Sequence, residues 1–495
     1  MNLGTLPAPF AFDNSYARLP GHFFARVNPT PVSAPKLIAL NPVLCAELGL
    51  SPESLASNAA LFFSGNALPE GAASIAQAYA GHQFGGFVPQ LGDGRAILLG
   101  EVLDANGCRR DVQLKGAGPT PFSRRGDGRA ALGPVLREYL LSEAMQALGI
   151  PTTRSLAVVL TGDPVYRDET LPGAVLTRVA ASHVRVGTFE YFAARDDREG
   201  VETLARHVIE RHYPEALASD RPFLALLQGV CLRQAALVAR WMQVGFIHGV
   251  MNTDNMSVSG ETIDYGPCAF LDAYDPEKVF SAIDRGGRYA FGNQARVAQW
   301  NLARFAETLL PLLDPDPTKA LELASAAVHK VPVLFQTEWL SGMRKKIGLW
   351  LELDHDLPLV ESLLEAMHAG EADFTLTFRR LCDVAEDPSR DAPVRELFRD
   401  PELYDGWASR WRARLGSETL APELRKEKMR LVNPAVIPRN HRVEEAIASA
   451  REGDLRPFES LHRALCHPFV DAAEFAHLAN APLPRERVLR TFCGT

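Results

Sequence analysis

The sequence predicts an α+β protein in which strands precede a long helical region. Residues 96–104 (AILLGEVLD) and 110–115 (RDVQLK) have strand-like patterns, and Asn106-Gly107 between them favours the tight turn of a β-hairpin. Two further apolar stretches, 155–160 and 174–180, also predict strands. From Val297 onwards the apolar residues recur with the spacing of amphipathic helices. With 495 residues the chain is long enough for two or three packed subdomains.

The composition excludes several classes of protein. A net charge of −8 argues against a broad surface for nucleic acid or anionic membrane. The seven cysteines are scattered, without C-x-x-C or zinc-type spacing, which favours a reducing compartment. The N-terminal sequence lacks a basic region followed by a long apolar run, and no stretch approaches ~18 uncharged apolar residues. We therefore expect a cytoplasmic protein with no nucleic-acid or membrane partner.

The first 80 residues mix turns with short helical patterns. Residues 35–40 (PKLIAL) and 44–50 both predict short helices, separated by Pro- and Ser-containing turns. No residue pattern here indicates chemistry.

A glycine-rich turn, Gly92-Asp93-Gly94-Arg95, precedes the predicted hairpin, whose second strand ends at Lys115. A dinucleotide-binding fold would place a helix directly after the glycines, and Ile97 occupies the position of its third glycine. The order of turn, strand and lysine instead fits a kinase-type phosphate loop. A plain β-turn is the alternative.

The next segment, residues 116–133, is dense in Gly and Arg. Its backbone N–H groups and arginines are suited to phosphate oxygens, although a solvated basic loop has the same composition. A helix then begins at Gly133-Pro134 and ends before Gly149. Glu138 is the candidate to hold Lys115 against phosphates, as a glutamate does in kinases. Glu138 and Glu143 both lie off the apolar stripe, so a solvated carboxylate is the alternative for each.

Two arginines follow within and after the strand at 174–180. An arginine inside an apolar strand, such as Arg178, is costly to bury without a partner. Arg185 lies seven residues further on. The partner of each is predicted to be a bound phosphate or a structural carboxylate.

Residues 244–271 contain the densest set of candidate catalytic residues. Protein kinases place an Asp two residues after a His, an Asn five residues later, and then Asp-Phe-Gly. Here Asn255 and Asp264-Tyr265-Gly266 occupy the last two positions, but Val250 occupies the position of the kinase base. Valine cannot accept a proton, so Asp254 is the best-placed substitute. A metal ligand or a loop cap is the alternative role for Asp254.

Asn255 and Asp264 offer hard oxygen ligands suited to Mg²⁺ or Mn²⁺ bound to nucleotide phosphates. The order of turn, lysine, glutamate, arginines, Asp-Asn and Asp-Tyr-Gly matches the order of parts in protein kinases. We therefore predict a protein-kinase-like bilobal fold over residues 81–300, with an N-terminal extension (1–80) and a helical C-terminal extension (301–495).

Long motifs identify a resemblance that covers nearly the whole chain. AGHQFGGFVPQLGDGRAILLGE, LKGAGPTPFSRRGDGRA, REYLLSEAM, HGVMNTDNMSVSGETIDYGP and NPAVIPRNHRVEEAI occur in this order. With these motifs the chain resembles the selenoprotein O family of kinase-like protein adenylyltransferases. The resemblance implies that ATP binds in a flipped orientation, so that AMP is transferred to Ser, Thr or Tyr hydroxyls of proteins. UMP transfer from UTP is also attributed to bacterial members.

The resemblance also implies individual roles. Asp254 would accept the proton, and Asn255 and Asp264 would bind the metal. The remaining positions would bind nucleotide: Gly92, Gly94, Arg95, Lys115, Asp127, Gly128, Arg178 and Arg185. A true kinase that transfers the γ-phosphate and a non-catalytic nucleotide-binding pseudokinase are the alternative functions.

Some members of the family carry selenocysteine three positions from the C-terminus, where this chain has Cys493. A thiol is less reactive than a selenol at neutral pH, so a redox role is less secure here. A disulfide between Cys493 and Cys268 is one hypothesis, and a free thiol in a mobile tail is the alternative.

Overall fold

An antiparallel sheet is built from the first part of the chain in the computed structural model, which describes residues 4–7, 10–55 and 57–492. The strands of these residues are β1 (Thr5–Leu6), β2 (Phe24–Arg26), β3 (Lys36–Leu40), β4 (Leu68–Pro69), β5 (Ile75–Gln77), β6 (Gly81–Gln83), β7 (Gly86–Val88), β8 (Ala96–Leu103), β9 (Arg109–Lys115), β10 (Ala130–Ala131), β11 (Arg154–Tyr166), β12 (Thr170–Ala180), β13 (Phe246–Ile247) and β14 (Ala269–Phe270). The main sheet has the order β2-β5-β8-β9-β12-β11-β3, and β10 pairs with β12. Three short pairs lie outside it: β1 with β4, β6 with β7, and β13 with β14.

The predicted hairpin is confirmed. β8 and β9 pair antiparallel, and Gly107 in the connecting turn has a φ of +76° and donates its N–H to the carbonyl of Asp104 at 2.8 Å. The strands predicted at 155–160 and 174–180 are also confirmed, and they extend into the longer pair β11 and β12.

The helix predicted at residues 35–40 is wrong. These residues form β3, an edge strand that pairs antiparallel with β11. A partner more than a hundred residues away in sequence decides the conformation, and a local apolar pattern cannot show it. The neighbouring helix prediction at 44–50 is closer, because a helix covers Pro42–Glu47 and is capped by the Asn41 side chain.

Helices make up most of the remaining chain. Within the described residues they are α1 (Pro42–Glu47), α2 (Pro52–Leu55), α3 (Ala59–Ser64), α4 (Leu132–Ala147), α5 (Val186–Ala193), α6 (Arg198–His212), α7 (Pro222–Gln243), α8 (Gln294–Leu313), α9 (Pro317–His329), α10 (Val331–Lys346), α11 (Asp356–Ala369), α12 (Phe374–Glu386), α13 (Ala392–Arg395), α14 (Pro401–Leu415), α15 (Pro422–Arg430), α16 (Asn440–Arg451), α17 (Arg456–Leu465) and α18 (Ala476–Ala479). Together with the sheet they confirm the α+β class.

Three apolar cores position the site. The first lies between one face of the sheet and helices α4 to α8, and α16 and α17 also contribute to it. The second lies among helices α10 to α15. The third covers the other face of the sheet with residues of α1 and α3. The sheet is therefore buried on both faces, and its strand ends near residues 92–95 and 115 are held in fixed positions.

Helix α7 is the one described helix that is long and apolar enough to cross a membrane by length and composition. Half of its most apolar window is buried inside the protein, and Leu226, Val230 and Val238 lie in the first core. It also carries Arg233 and Arg240. The packing is that of a core helix.

Lys346, at the end of α10, is buried over the ring of Phe378, with its Nζ 4.3 Å from the ring centroid, and none of the described residues forms an ion pair with it. Burial lowers the pKa of its ammonium from the ordinary 10.5 to about 7. We expect Lys346→Met to raise the free energy of unfolding at pH 6 by about 1–4 kcal/mol, because replacing buried charges with apolar residues has this range of effects.

The stability advantage of Lys346→Met over wild type should decrease as the pH rises from 7 towards 10.5. In this window the unfolded wild type binds a proton that the folded protein does not, so wild-type stability increases with pH. Urea unfolding at pH 6 and pH 9 measures both effects. Lys345→Met is the matched control, because Lys345 is exposed and its replacement should change stability by less than about 0.5 kcal/mol. A destabilised Lys346→Met at pH 6 would contradict the prediction.

Candidate active site

A cleft of about 830 Å³ lies between the sheet and the segment that follows α7. All the predicted site residues except Glu138 line it, so residues far apart in the sequence converge here. They are Gly92, Gly94, Arg95, Lys115, Asp127, Gly128, Arg178, Arg185, Asp254, Asn255 and Asp264.

Asp264 is the centre of a charged network in this cleft. Its Oδ1 accepts a hydrogen bond from Arg178 at 2.8 Å, and its Oδ2 accepts one from Arg185 at 2.9 Å. The Lys115 Nζ lies 3.8 Å from Oδ1. Burial opposes ionisation, but the three cations outweigh it and hold the pKa of Asp264 well below its usual value. Asp264 also has a φ of +65°, a strained conformation that in non-glycine residues is found mostly where the surroundings enforce it.

Glu138 lies behind this network on α4. Its Oε2 accepts from the Lys115 Nζ at 2.5 Å, and its Oε1 accepts from the Arg178 Nε at 2.8 Å. Burial raises the pKa of Glu138, but Arg178 and Lys115 outweigh this effect and lower it overall. The alternative of a solvated carboxylate is wrong for Glu138, and also for Glu143, which is buried and accepts from Arg154.

Arg185 links the network to the glycine-rich turn. Its guanidinium lies 3.8 Å from the Asp93 carboxylate and 4.5 Å from the centre of the Tyr79 ring. Its Nη1 also donates to the backbone carbonyl of Asp254 at 2.9 Å. Arg178 and Arg185 therefore have structural carboxylate partners in the protein alone, and both also line the cleft where a phosphate would bind.

Close packing requires glycine both in the turn, at Gly92, and in the following segment, at Gly128. Gly92 has a φ of +78°, and a Cβ on it would lie 2.3 Å from the Phe122 ring. Gly128 has a φ of +66°, and a Cβ there would lie 2.1 Å from the Gly118 carbonyl oxygen. Residues 116–133 thus fold back onto the turn, and Asp127 fixes their end through a bidentate pair with Arg167 at 2.9 and 3.1 Å. These contacts build one wall of the cleft.

Asp254 lies in a 3₁₀ turn, Thr253–Asn255, and is 7% exposed. Burial raises the pKa of its carboxyl to about 6, although a hydrogen bond from Gln83 and the charge of Arg185 oppose the shift. Its Oδ2 accepts from the Gln83 Nε2 at 3.0 Å, and its Oδ1 is buried without a hydrogen-bond partner among the residues that the structure describes. A buried carboxylate beside a cleft, with one oxygen unpartnered, can accept a proton.

Val250, in the position of the kinase base, lines the cleft with an apolar side chain. Its carbonyl accepts from the Asn255 Nδ2 at 3.0 Å. This bond fixes the amide so that the Asn255 Oδ1 is left to accept. His248 accepts from the Val250 N–H at 3.4 Å, and its Nε2 lies 2.9 Å from the Ile263 carbonyl, so it holds the loop in shape.

The residues present fit a divalent ion held jointly with phosphates. Asn255 and Asp264 bring two hard oxygen donors to the same cleft. In the described part of the chain no group of three or more His, Cys, Asp and Glu side chains is placed to hold a metal by itself. A Mg²⁺ ion usually keeps such a sparse protein ligand set when substrate phosphates complete its coordination.

Several residues of the site were missed by the sequence reasoning. Asp93 is not among the predicted site residues, yet its buried carboxylate faces Arg185 and accepts from the Gln77 N–H at 3.1 Å. The carboxylate between two glycines was the available signal. Gln83 and Asn252 have no signal of this kind, because their roles arise from contacts between distant parts of the chain.

Cys493 lies outside the described residues, so the hypothesis of a disulfide to Cys268 stays a prediction. Cys268 itself is buried. The last described residues run beside it: the Thr491 hydroxyl donates to the Pro267 carbonyl at 2.5 Å, and the Thr491 N–H donates to Phe280.

The family model for the protein adenylyltransferase SelO matches residues 8–466 of the chain. The chain belongs to the SelO family. Curated relatives are similar in sequence to this chain over nearly its full length. The protein nucleotidyltransferase YdiU of Rhizobium rhizogenes is 63% identical over 488 residues, which covers 98% of this chain and 97% of the relative. YdiU of Rhizobium meliloti is 61% identical over 98% of this chain and 99% of the relative.

YdiU of Rhodopseudomonas palustris is 62% identical over 98% of this chain and 99% of the relative. The resemblance read from the sequence motifs is therefore confirmed. The SelO match spans every residue that lines the cleft, from Tyr79 to Ile283.

Proposed function

We propose that this protein transfers AMP, or UMP, from a nucleoside triphosphate to Ser, Thr or Tyr hydroxyls of other proteins. The observation that carries the proposal is a buried carboxylate, Asp254, in a cationic cleft where the kinase base is replaced by Val250. The names of the SelO family and of its YdiU relatives support the same activity.

The chemistry follows from the charges around the cleft. The acceptor oxygen forms a bond to the α-phosphorus, the bond from the α-phosphorus to the β-phosphate oxygen breaks, and pyrophosphate leaves. The hydroxyl proton passes to Asp254. Lys115, Arg178 and Arg185 would stabilise the phosphate charges, because fixed cations in a partly buried cleft need little reorganisation. Such transfer depends mainly on positioning and charge neutralisation.

Asn255 and Asp264 would hold Mg²⁺ or Mn²⁺, which neutralises phosphate charge and orients the triphosphate when bound. Asp264 would then exchange one or both of its arginine contacts for the metal. Gly92, Gly94 and Arg95, with Asp127 and Gly128, would enclose the nucleotide from the opposite wall.

The wider proposal includes a protein-kinase-like core at 81–300 between an N-terminal extension (1–80) and a helical C-terminal region (301–495). The strand Lys115, its α4 partner Glu138 and the Asp-Tyr-Gly segment occur in the order and contacts that a kinase uses. We also propose a cytoplasmic location with protein and nucleotide partners, without nucleic acid or membrane.

Supplying ATP labelled at the α or the γ phosphate tests the activity. We expect label on acceptor proteins from α-labelled ATP only, with an equal amount of pyrophosphate released. Label from the γ position only would identify a kinase. Absence of label with ATP and UTP, with Mg²⁺ and Mn²⁺, and with a cell lysate as acceptor would leave a nucleotide-binding pseudokinase. Mass analysis of the modified peptide then distinguishes AMP from UMP.

A further inference from the structure

The β6–β7 hairpin (residues 81–88) is bonded to the loop 252–254, which carries the proposed proton acceptor. The His82 N–H donates to the Thr253 Oγ1 at 2.7 Å. The Phe84 N–H donates to the Asn252 Oδ1 at 3.0 Å. Between these two bonds the Gln83 side chain reaches Asp254. Residues 82–84 of the hairpin thus contact the three residues of loop 252–254, although about 170 residues separate the hairpin from the loop in the sequence.

Asp254 is fixed from two sides by this hairpin. The Gln83 Nε2 donates to the Asp254 Oδ2 at 3.0 Å. On the other side, a Cβ built on Gly81 would lie 2.7 Å from the Asp254 Oδ1 and 2.9 Å from its Cβ. The carboxylate therefore fits against bare backbone, and the amide of Gln83 is the side-chain donor that sets its rotation.

Further contacts hold the hairpin in place. The Glu190 carboxylate accepts from the Thr253 hydroxyl and lies 2.5 Å from the His82 Nδ1. The Tyr289 hydroxyl donates to the Asn252 Oδ1 at 2.5 Å. Phe84 has a φ of +52°, a strained conformation that these bonds maintain. These bonds attach the hairpin to loop 252–254, although residues 84–87 of the hairpin are exposed.

We infer that Gln83 is a positioning residue, which orients the Asp254 carboxylate towards the acceptor hydroxyl. The inference rests on the proposed role of Asp254 as proton acceptor. Gln83 suits this role because its amide carries no charge and donates to a carboxylate without forming an ion pair with it. A small misplacement of a catalytic group can reduce a rate about 100-fold. Loss of the Gln83 donor should therefore reduce turnover and leave nucleotide binding intact.

The test compares Gln83→Glu and Gln83→Ala with wild type in the transfer of α-labelled nucleotide. Glutamate keeps the size of Gln83 but replaces the donor with an acceptor that repels Asp254. We expect kcat to fall about 10- to 100-fold in both variants, with KM for the nucleotide within about 3-fold of wild type. Direct binding of the nucleotide with Mn²⁺ should be unchanged. Gln90→Ala, at an exposed glutamine just after the hairpin, is the matched control and should keep wild-type turnover.

A second comparison separates positioning from folding. If Gln83 acts through Asp254, adding Gln83→Ala to an Asp254→Ala variant should leave its residual single-turnover rate unchanged, because the two losses are not additive. Unchanged kcat in both Gln83 variants, alongside a large loss in Asp254→Ala, would overturn the inference and leave the proposed function intact. A raised KM with normal kcat would also overturn it, since Gln83 would then bind ligand directly. Normal turnover in Asp254→Ala would instead reject the role of Asp254.

Discussion

Asp264→Ala is expected to abolish nucleotide transfer and the metal-dependent part of ATP binding. The substitution removes one of the two proposed metal ligands. It also removes the carboxylate that pairs with Arg178 and Arg185 at 2.8 and 2.9 Å and lies 3.8 Å from Lys115. The nearby carboxylates that remain would be Glu138, which contacts Lys115 and Arg178, and Asp93, which lies 3.8 Å from Arg185. Isothermal titration with ATP, with and without Mn²⁺, separates the metal-dependent part from the rest.

Asp264→Asn is the companion variant, because it keeps the shape of the side chain and one oxygen donor. We expect it to fold with a smaller loss of stability than Asp264→Ala and still to lose transfer by more than about 100-fold. Thermal unfolding of both variants separates loss of fold from loss of chemistry. Metal-dependent ATP binding at wild-type strength in a folded Asp264→Ala protein would exclude Asp264 as a ligand.

Asp254→Ala is expected to lower kcat by about 10²- to 10⁴-fold, the usual contribution of a general base. Nucleotide binding should be retained, because Arg185 contacts the backbone carbonyl of residue 254 and not its side chain. Removing a buried carboxylate whose Oδ1 has no hydrogen-bond partner in the described part of the chain should cost little stability. Steady-state transfer and direct nucleotide binding, measured on the same protein sample, check both parts.

The control for Asp254→Ala is Asp220→Ala, because Asp220 is an exposed aspartate outside the cleft. It should leave both turnover and binding unchanged. Wild-type turnover in Asp254→Ala would remove Asp254 from the proton-accepting role and would favour its alternative role as a loop cap.

Sequence patterns predicted those helices and strands whose conformation depends on residues close to them in the sequence. The hairpin at Asn106-Gly107 was predictable because a short turn fixes the register of the strands on either side of it. Helix α4 was predictable because Pro134 lies in its first turn and Gly149, at a φ of +75°, follows its end. The helix prediction at residues 35–40 was wrong because the partner strand of β3, β11, lies far along the chain.

In the site, too, residues in local motifs could be predicted, and contacts between distant parts of the chain could not. Lys115, Asn255 and Asp264 could be predicted because each belongs to a motif with a fixed order and spacing. The pairing of Arg178 with Glu138 and Asp264 could not, since a sequence shows the cost of burying an arginine but not which carboxylate offsets it. The contact of Gln83 with Asp254 could not be predicted for a related reason. Its bond to Asp254 spans 171 residues and depends on a hairpin folding against a loop.

The place of β3 and β5 in the main sheet has a practical consequence for aggregation. β5 pairs with β8, and β3 pairs with β11, so strands from the first 80 residues cover both sides of the central strands. A fragment beginning at residue 81 would leave β8 without β5 and β11 without β3, and would expose the backbone that these strands cover, including residues 157–160 of β11. Such open edges recruit strands from other molecules. The first 80 residues therefore protect β8 and β11 from pairing with strands of other molecules.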